Sequence, residues 1–543
     1  MAMNKHFWIK FLLNPMKDFL PGLHDSERER VRLSLSTVLT AERVINRILQ
    51  LHLASHAEGL TTFARAATLL GGAMNAPFYF SIAEAREKFR QKEISPVELV
   101  TAYLERTKTL QPKLNAYVHI DAESAIARAR HAESLINRGE ALLPLTGIPL
   151  SMKSNMDVAG WVCSAGSLLR KDYVPTTNAA VVQRLEDAGA ILLGNTNVPE
   201  FMMAYETDNR LNGKTSNPWN LAYSSGGSSG GEAAAIASGC SMGGVGSDGG
   251  GSIRVPAHFC GICGLKPTPG RVAATGHFPL SVGAFAWLGV VGPMARTVAD
   301  LRTIFHIIEG PDPSDPLSAP VPTREIPPSD LRGLRIGILE NPGLGRATPE
   351  TLSTVRRSAQ ILCDLGFRVE PIKLERLDRA LELWWYFFGP VIGALIRRNT
   401  EGQEALLSLM SREYLAIATA ESPGDFFHLL ELCMERDMVR ADFLQQLRAI
   451  PVLLSPVSTA PAFQHGKGTL RPGDPYNYRD TMRFCQWLNL AGFPGLSLPF
   501  GQSSEGLPIN VQLIGRPWEE DLLLAVAESL EQARGPWKAP PEI

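Results

Sequence analysis

Long apolar runs are missing from this 543-residue chain. The uncharged stretch of apolar and glycine residues Ala233 to Ser247 is interrupted by small and polar side chains. A membrane-spanning helix needs about 20 predominantly apolar residues, so the chain is expected to be soluble or peripheral. A basic excess is missing too: 53 Lys plus Arg stand against 55 Asp plus Glu, a net charge of −2. Surfaces that track phosphates need a positive balance, and nucleic acid is therefore not expected as a partner. Cysteine is scarce and scattered, with seven residues in all (Cys163, Cys240, Cys260, Cys263, Cys363, Cys433 and Cys485). That excludes a disulfide framework and points to a reducing, cytoplasmic compartment. Cys260-Gly-Ile-Cys263 has the spacing of half a zinc site, but no second Cys or His pair follows. These thiols are read as buried apolar groups, and no metal is expected. The apolar start, His6 to Pro15, is cut short by Lys10 and Asn14-Pro15 and makes a poor signal peptide. No internal repeat is visible.

What is present is an ordinary globular composition, 45% hydrophobic and 20% charged. Residues 1–77 read as a helical extension, because Val38, Leu39, Val44, Ile45, Ile48 and Leu49 recur near helical spacing with Arg43 and Arg47 between them. Such a helix packs on a second subunit or on the main body. Membrane-surface contact through Phe7, Trp8, Phe11 and Leu12 with Lys5, Lys10 and Lys17 is the other reading. Residues 78–543 read as one large α/β domain. Ser81 to Leu110 and Ala122 to Ile136 are expected to be helical, and Gly147 to Met152, Ala190 to Leu193 and Leu334 to Leu339 to be short strands. The Pro- and Asp-rich residues 311–331 form a loop.

Glycine and serine concentrate in two clusters, Ser224 to Glu232 and Gly243 to Arg254, on either side of an Ala-rich segment that suits a tightly packed helix. Two general motifs occur there by accident. Gly226-Gly-Ser228-Ser-Gly230 fits a nucleophile elbow, but Asn217 to Tyr223 is not the apolar strand an elbow needs. Gly244 to Gly249 fits a dinucleotide fingerprint, but glycines follow it where a helix should open. Asp248-Gly249-Gly250-Gly251-Ser252 is more informative. Successive glycines let backbone N–H groups converge on one point, as an oxyanion requires, with a serine beside it. Neither cluster contains a histidine, and His258 reads as structural. A desolvated lysine is another way to activate a serine. Lys153, after Gly147 to Met152, is the candidate, although a lone lysine after a strand is more often a surface residue.

Three separated elements, Gly147-x-Pro149-x-x-x-Lys153, Gly226-Gly-Ser-Ser-Gly-Gly231 and Gly246-Ser-Asp-x-Gly-Gly-Ser252-Ile-Arg254-x-Pro256, resemble those of the amidase signature hydrolases. Ser228 follows Lys153 by 75 residues and Ser252 follows Ser228 by 24, the latter an interval typical of that family. Asn195 to Glu200, Gly213 to Pro218, Gly264 to Gly270, Gly292 to Arg296 and Gly506 to Gln512 add to the likeness, which covers about Phe78 to Glu531. The resemblance implies an amidase signature fold, a large twisted mixed β-sheet covered by helices. It implies Ser252 as nucleophile, Ser228 as the bridging serine after a cis peptide, and Lys153 as base. Gly249, Gly250, Gly251 and Ser252 would form the oxyanion hole, with Ser229, Asp248 and Arg254 holding the loops in register and Met202 and Met203 near the acyl site. Neither cofactor nor metal is implied. Gly249 stands where the family usually has Thr or Ile, which should make the loop looser or roomier.

Within that family the segment Gly276 to Ala284 is most similar to the fatty-acid amide hydrolase branch. An aromatic segment, Leu381 to Ile392, lies where the family varies its substrate channel. The expectation is hydrolysis of lipophilic acyl or aryl amides, with esters and carbamates left open. The alternative is the glutamine-hydrolysing amidase subunit of a tRNA-dependent amidotransferase. The expected partner is a small-molecule amide, with a homodimer and a peripheral membrane contact through the N-terminal segment left open.

Overall fold

The computed structural model describes residues 76–280, 283, 285–340 and 347–543. The expected helical extension, with its membrane-contact residues, therefore lies outside the described residues except for Ala76 and Pro77. Thirteen strands are described: β1 (Tyr117–Ile120), β2 (Pro149–Lys153), β3 (Ile191–Thr196), β4 (Ser216–Asn217), β5 (Asn220–Ser224), β6 (Gly243–Asp248), β7 (Cys263–Lys266), β8 (Val290–Ala295), β9 (Arg335–Ile338), β10 (Arg368–Pro371), β11 (Val452–Pro456), β12 (Gly495–Gln502) and β13 (Pro508–Gly515). Eleven of them form one mixed sheet in the order β1-β3-β2-β6-β8-β7-β12-β13-β11-β9-β10, and β4 pairs with β5 apart from it. The sheet carries helices as the α/β reading requires. Its central strands β2, β3, β6 and β8 are buried along their whole length, as expected of strands covered on both faces.

The segment expected as one helix from Ser81 is two, Ile82–Gln91 and Pro96–Leu114. Pro96 disfavours helical geometry at the residue before it and has no N–H to continue a ladder. Each helix opens instead with its own capping box, Ser81 with Glu84 and Ser95 with Glu98, and Lys92 turns the chain between them in the left-handed region. The other expected elements appear within a few residues of their anticipated ends, including Ala122–Asn137 and the Ala-rich helix Gly230–Ala237. One apolar cluster joins Phe89, Tyr103, Leu150, Val245, Ile304 and Leu513. A second gathers Trp384, Trp385, Tyr414, Phe443 and Trp487 beside the region described below. Among the described residues no helix is long and apolar enough to cross a membrane.

Sheet order is what positions the chemistry. Strands β2 and β6 are parallel neighbours, with Ser151 opposite Gly244 and Met152 opposite Val245. Their carboxyl ends, Lys153 and Asp248, therefore emerge side by side at one edge, where α/β sheets present their sites. The helix Gly230–Ala237 inserts Glu232 beneath them, and a Cβ on Gly244 would collide with Glu232 Oε1 and the Ser151 carbonyl. Gly244→Ala is accordingly expected to lower unfolding stability by ~1–3 kcal/mol through overpacking. A denaturant midpoint equal to that of the unmodified protein would contradict this account of the β2–β6 junction.

Candidate active site

Lys153 is wholly buried, and its amine has three neighbours: Ser228 Oγ at 2.7 Å, Ser247 Oγ at 3.0 Å and the Ser247 carbonyl at 3.2 Å. Burial pushes its pKa down to about 7, against the raising effect of the Asp248 and Glu232 charges. A neutral amine has two N–H donors and one lone pair. Ser247 takes both donors, so the lone pair is left facing Ser228, whose O–H can donate to it. Glu232 lies deeper and accepts from Ser151 Oγ at 2.5 Å and Thr196 Oγ1 at 2.7 Å. Burial pushes its pKa up to about 7, with those two hydrogen bonds opposing. Asn155 Nδ2 supports the far side, 3.1 Å from Ser247 Oγ and 2.9 Å from His277 Nε2. The His277 ring is neutral, since burial lowers its pKa to about 4, and its Nδ1–H donates to the Pro279 carbonyl at 2.8 Å.

The glycine loop after β6 is built around Asp248. Arg254 grips this carboxylate with Nε at 3.0 Å from Oδ2 and Nη2 at 2.9 Å from Oδ1, both residues being fully buried. Burial alone would raise the Asp248 pKa, but the Arg254 charge and its hydrogen bonds win and hold the carboxyl below its ordinary range. The N–H groups of Gly251 and Ile253 also donate to Asp248, at 2.7 and 3.1 Å. Loop carbonyls are drawn outward: Trp384 Nε1 donates to Gly249 O at 3.0 Å, Tyr205 O–H to Gly250 O at 2.6 Å and Asn489 Nδ2 to Asp248 O at 2.9 Å. Among the described residues the N–H groups of Gly249, Gly250 and Ser252 have no partner. Gly251 is a correction to the expected oxyanion hole, because the Asp248 carboxylate already occupies its N–H. The loop is also not loose, being held at three carbonyls. It is roomy at Gly249, where a Cβ would meet only Phe388, at 3.9 Å, whereas one on Gly250 would strike Trp384 and the Tyr205 hydroxyl.

The Gly227–Ser228 peptide is cis, and the Ser229 N–H donates to the Ser252 carbonyl at 3.1 Å, tying the two serine loops together. Ser252 Oγ has no hydrogen bond among the described residues, but it lines one cavity with Ser228, Met202, Met203, His277 and Phe285. It also lines a second with Tyr205, Trp384, Trp385 and Phe388. Phe201 and Met202 have φ of 51° and 60°, a conformation that bulky residues adopt only when neighbours enforce it. The expected site residues Lys153, Ser228, Ser252, Met202 and Met203 thus meet at one place. The aromatic segment forms a helix, Leu377–Tyr386, and a following turn that stacks Phe388 on Trp384 with centroids 4.8 Å apart. Sequence reasoning gave no role to Ser247, Asn155, Glu232 or Tyr205. Ser247 sits inside the quoted Gly246-Ser-Asp element, but only the β2–β6 register shows that it reaches Lys153. His258 lies apart and is structural, with Nδ1 accepting from the Asn510 N–H at 2.8 Å.

A family profile described as Amidase matches residues 98–524. The chain belongs to the amidase family. It is a hydrolase acting on carbon–nitrogen amide bonds. The A subunit of glutamyl-tRNA(Gln) amidotransferase from Carboxydothermus hydrogenoformans is 34% identical over 495 residues, covering 86% of this amidase and 99% of that protein. Among solved structures, a bacterial aryl acylamidase of the amidase signature family superposes with a TM-score of 0.74 at 26% identity, over 84% of this chain and 96% of that one. Fatty acid amide hydrolase superposes with a TM-score of 0.76 at 24% identity, over 87% and 88% of the two chains, a likeness of fold alone. The partner expectation needs correcting. A small-molecule amide as sole partner, with a homodimer or a membrane contact left open, does not fit a chain whose near full-length relatives are named as one subunit of an amidotransferase.

Two outcomes are expected of this site. Because only neutral Lys153 can accept a proton, kcat/KM should rise with pH through an apparent pKa near 7, the value to which burial lowers it. A rate independent of pH between 6 and 9 would remove Lys153 as the base. Arg254→Met leaves Asp248 buried and unpaired, and is expected to cost about 3–5 kcal/mol of stability, measured by urea unfolding.

Proposed function

We propose that this amidase cleaves the side-chain carboxamide of glutamine as the hydrolytic subunit of a larger enzyme, through an acyl-enzyme on Ser252. The near full-length likeness to amidotransferase A subunits supports the substrate and the assembly. The lone pair of Lys153 facing Ser228 supports the chemistry. Ser252 gives its proton to Ser228 Oγ while the Ser228 proton passes to Lys153 Nζ, and Ser252 Oγ attacks the carbonyl carbon. The oxyanion is received by the N–H groups of Gly249, Gly250 and Ser252, any one of which is worth ~3–4 kcal/mol in such a transition state. As the intermediate collapses, Ser228 delivers its proton to the departing nitrogen and recovers one from protonated Lys153. Ammonia leaves, and water then attacks the ester along the same relay to release the acid. Asp248, Arg254 and Ser229 keep the two serine loops in register, and Met202 and Met203 flank the bound carbonyl.

A second reading, hydrolysis of lipophilic acyl or aryl amides, is favoured by the wall of Trp384, Trp385, Phe388, Met202 and Met203 and by the likeness to the aryl acylamidase. The assay that separates the two measures ammonia from glutamine and arylamine from anilides of increasing acyl length, with wild-type chain and with Ser252→Ala. Glutamine turnover that disappears in Ser252→Ala is the expected result. Anilide turnover that rises with chain length, with glutamine untouched, would transfer the assignment to the second reading. Failure of Ser252 to react with a fluorophosphonate would remove it as the nucleophile.

A further inference from the structure

The mechanism uses Lys153 and leaves idle a second buried ionisable group beside it, Glu232. Two residues that border Lys153 on the sheet fix the place of this carboxylate. Thr196 is the register partner of Lys153 across the β2–β3 pair. Ser151 lies two residues back on β2, where strand alternation puts its side chain on the face of Lys153. Ser151 donates its hydroxyl to Glu232 Oε1, and Thr196 donates to Oε2, which is closer to it than the Met152 carbonyl at 3.3 Å. One donor on each oxygen suits the ionised form of a carboxyl group. Among the described residues no arginine or lysine forms an ion pair with Glu232. Asp248, the other carboxylate whose charge acts on Lys153, is already neutralised by Arg254. The remaining titratable groups around the pair are uncharged. Burial keeps the Tyr117 phenol, which donates to the Cys240 carbonyl at 2.8 Å, the Cys240 thiol and the His277 ring in their neutral forms. The one cation that acts on Glu232 is therefore protonated Lys153, and it acts through space. Direct contact would have made a permanent salt bridge and removed the base, whereas separation keeps the attraction and leaves the amine free to cycle.

We propose that Glu232 is a positioning residue of the proton relay, whose fixed negative charge balances the ammonium that forms on Lys153 each time Ser252 is deprotonated. The inference rests on the reading of Lys153 as the base. Glu232 touches neither substrate nor the reacting serines. It takes up no proton in the cycle: the Ser252 proton goes to Ser228, the Ser228 proton goes to Lys153, and Glu232 stays ionised throughout. An ammonium created in a dry interior without a counter-charge is costly, and a carboxylate held nearby offsets that cost at the step where it arises. Gly244 belongs to the same device, because a side chain there would push Glu232 Oε1 from its seat.

The test follows the rate at which a fluorophosphonate labels Ser252 from about pH 5.5 to 9.5, a readout of the relay that needs no knowledge of the substrate. Wild-type chain, Glu232→Gln, Glu232→Asp and Lys153→Ala are compared, with urea unfolding to show that each variant is folded. Glu232→Gln keeps the shape and removes the charge, so Lys153 loses its proton more easily. The rising limb of its profile should move about one pH unit lower, and its plateau should fall about threefold or more because a less basic amine accepts the proton less readily. Glu232→Asp keeps the charge and should hold the midpoint near that of wild type even where its rate falls. A Glu232→Gln midpoint within about 0.2 unit of wild type, however slow the labelling, would reduce Glu232 to a structural strut and overturn the proposal. So would a Glu232→Asp midpoint shifted as far as that of Glu232→Gln. The underlying reading fails separately: Lys153→Ala labelled as fast as wild type would remove Lys153 as the base. Slow labelling of Lys153→Ala with an unmoved Glu232→Gln profile would keep the base and discard its counter-charge.

Discussion

A lysine amine sealed from water must find an anion or give up its proton, and that requirement organises this site. No carboxylate touches Lys153: Glu232 is held away by Ser151 and Thr196, and Asp248 is held by Arg254. The amine is left with serine oxygens and one carbonyl. These oxygens could accept from an ammonium, but burial without a contacting carboxylate favours the neutral amine. Two donors directed at Ser247 leave one direction for the lone pair, and the conformation of the Ser228 loop places an oxygen there. Parallel pairing of β2 with β6 is the backbone condition for all of this, since it delivers Lys153 and Ser247 to the same edge.

A second buried charge does different work. Asp248 and Arg254 form a closed ion pair that Asn489, Gln512 and three loop N–H groups complete. Removing either partner would strand the other in a medium that cannot solvate it. The pair therefore resists relaxation of the loop and fixes which N–H groups remain for substrate. Trp384, Tyr205 and Asn489 pull the loop carbonyls to the outside. With the carbonyls held in this way, the N–H groups of Gly249, Gly250 and Ser252 are left without partners among the described residues, as the proposed acyl transfer requires of an oxyanion hole.

Chemistry and selection come from different parts of the chain. In the proposed mechanism bond cleavage belongs to the ends of β2 and β6 and to the two serine loops. The walls come from Phe201 to Tyr205, from the helix Leu377–Tyr386 with its following turn, and from Tyr478 to Gln486. These segments can change their side chains without disturbing Lys153. A family likeness that identifies the reaction therefore leaves the substrate to be read from the walls, which here are aromatic near Ser252.

Much of this was legible before any coordinates. Helix and strand periodicities marked the α/β layering, and Ser95-Pro96 with Glu98 carried a helix start that a continuous reading of residues 81–110 passed over. Glycine spacing marked a loop able to turn N–H groups inward, and Lys153, Ser228 and Ser252 carried the family resemblance. Those signals are local, so they survive in a one-dimensional reading. Gly251 looked like its neighbours because glycine spacing does not say which N–H a carboxylate will claim. Ser247 reaches Lys153 only through strand register, Glu232 lies near it only through helix packing, and Trp384 reaches the glycine loop from more than a hundred residues away in the chain. The sequence determined the type of chemistry through contacts close in the chain or carried by a motif. Tertiary structure decided protonation and selectivity, because both depend on which distant groups are brought near and on how completely water is kept out.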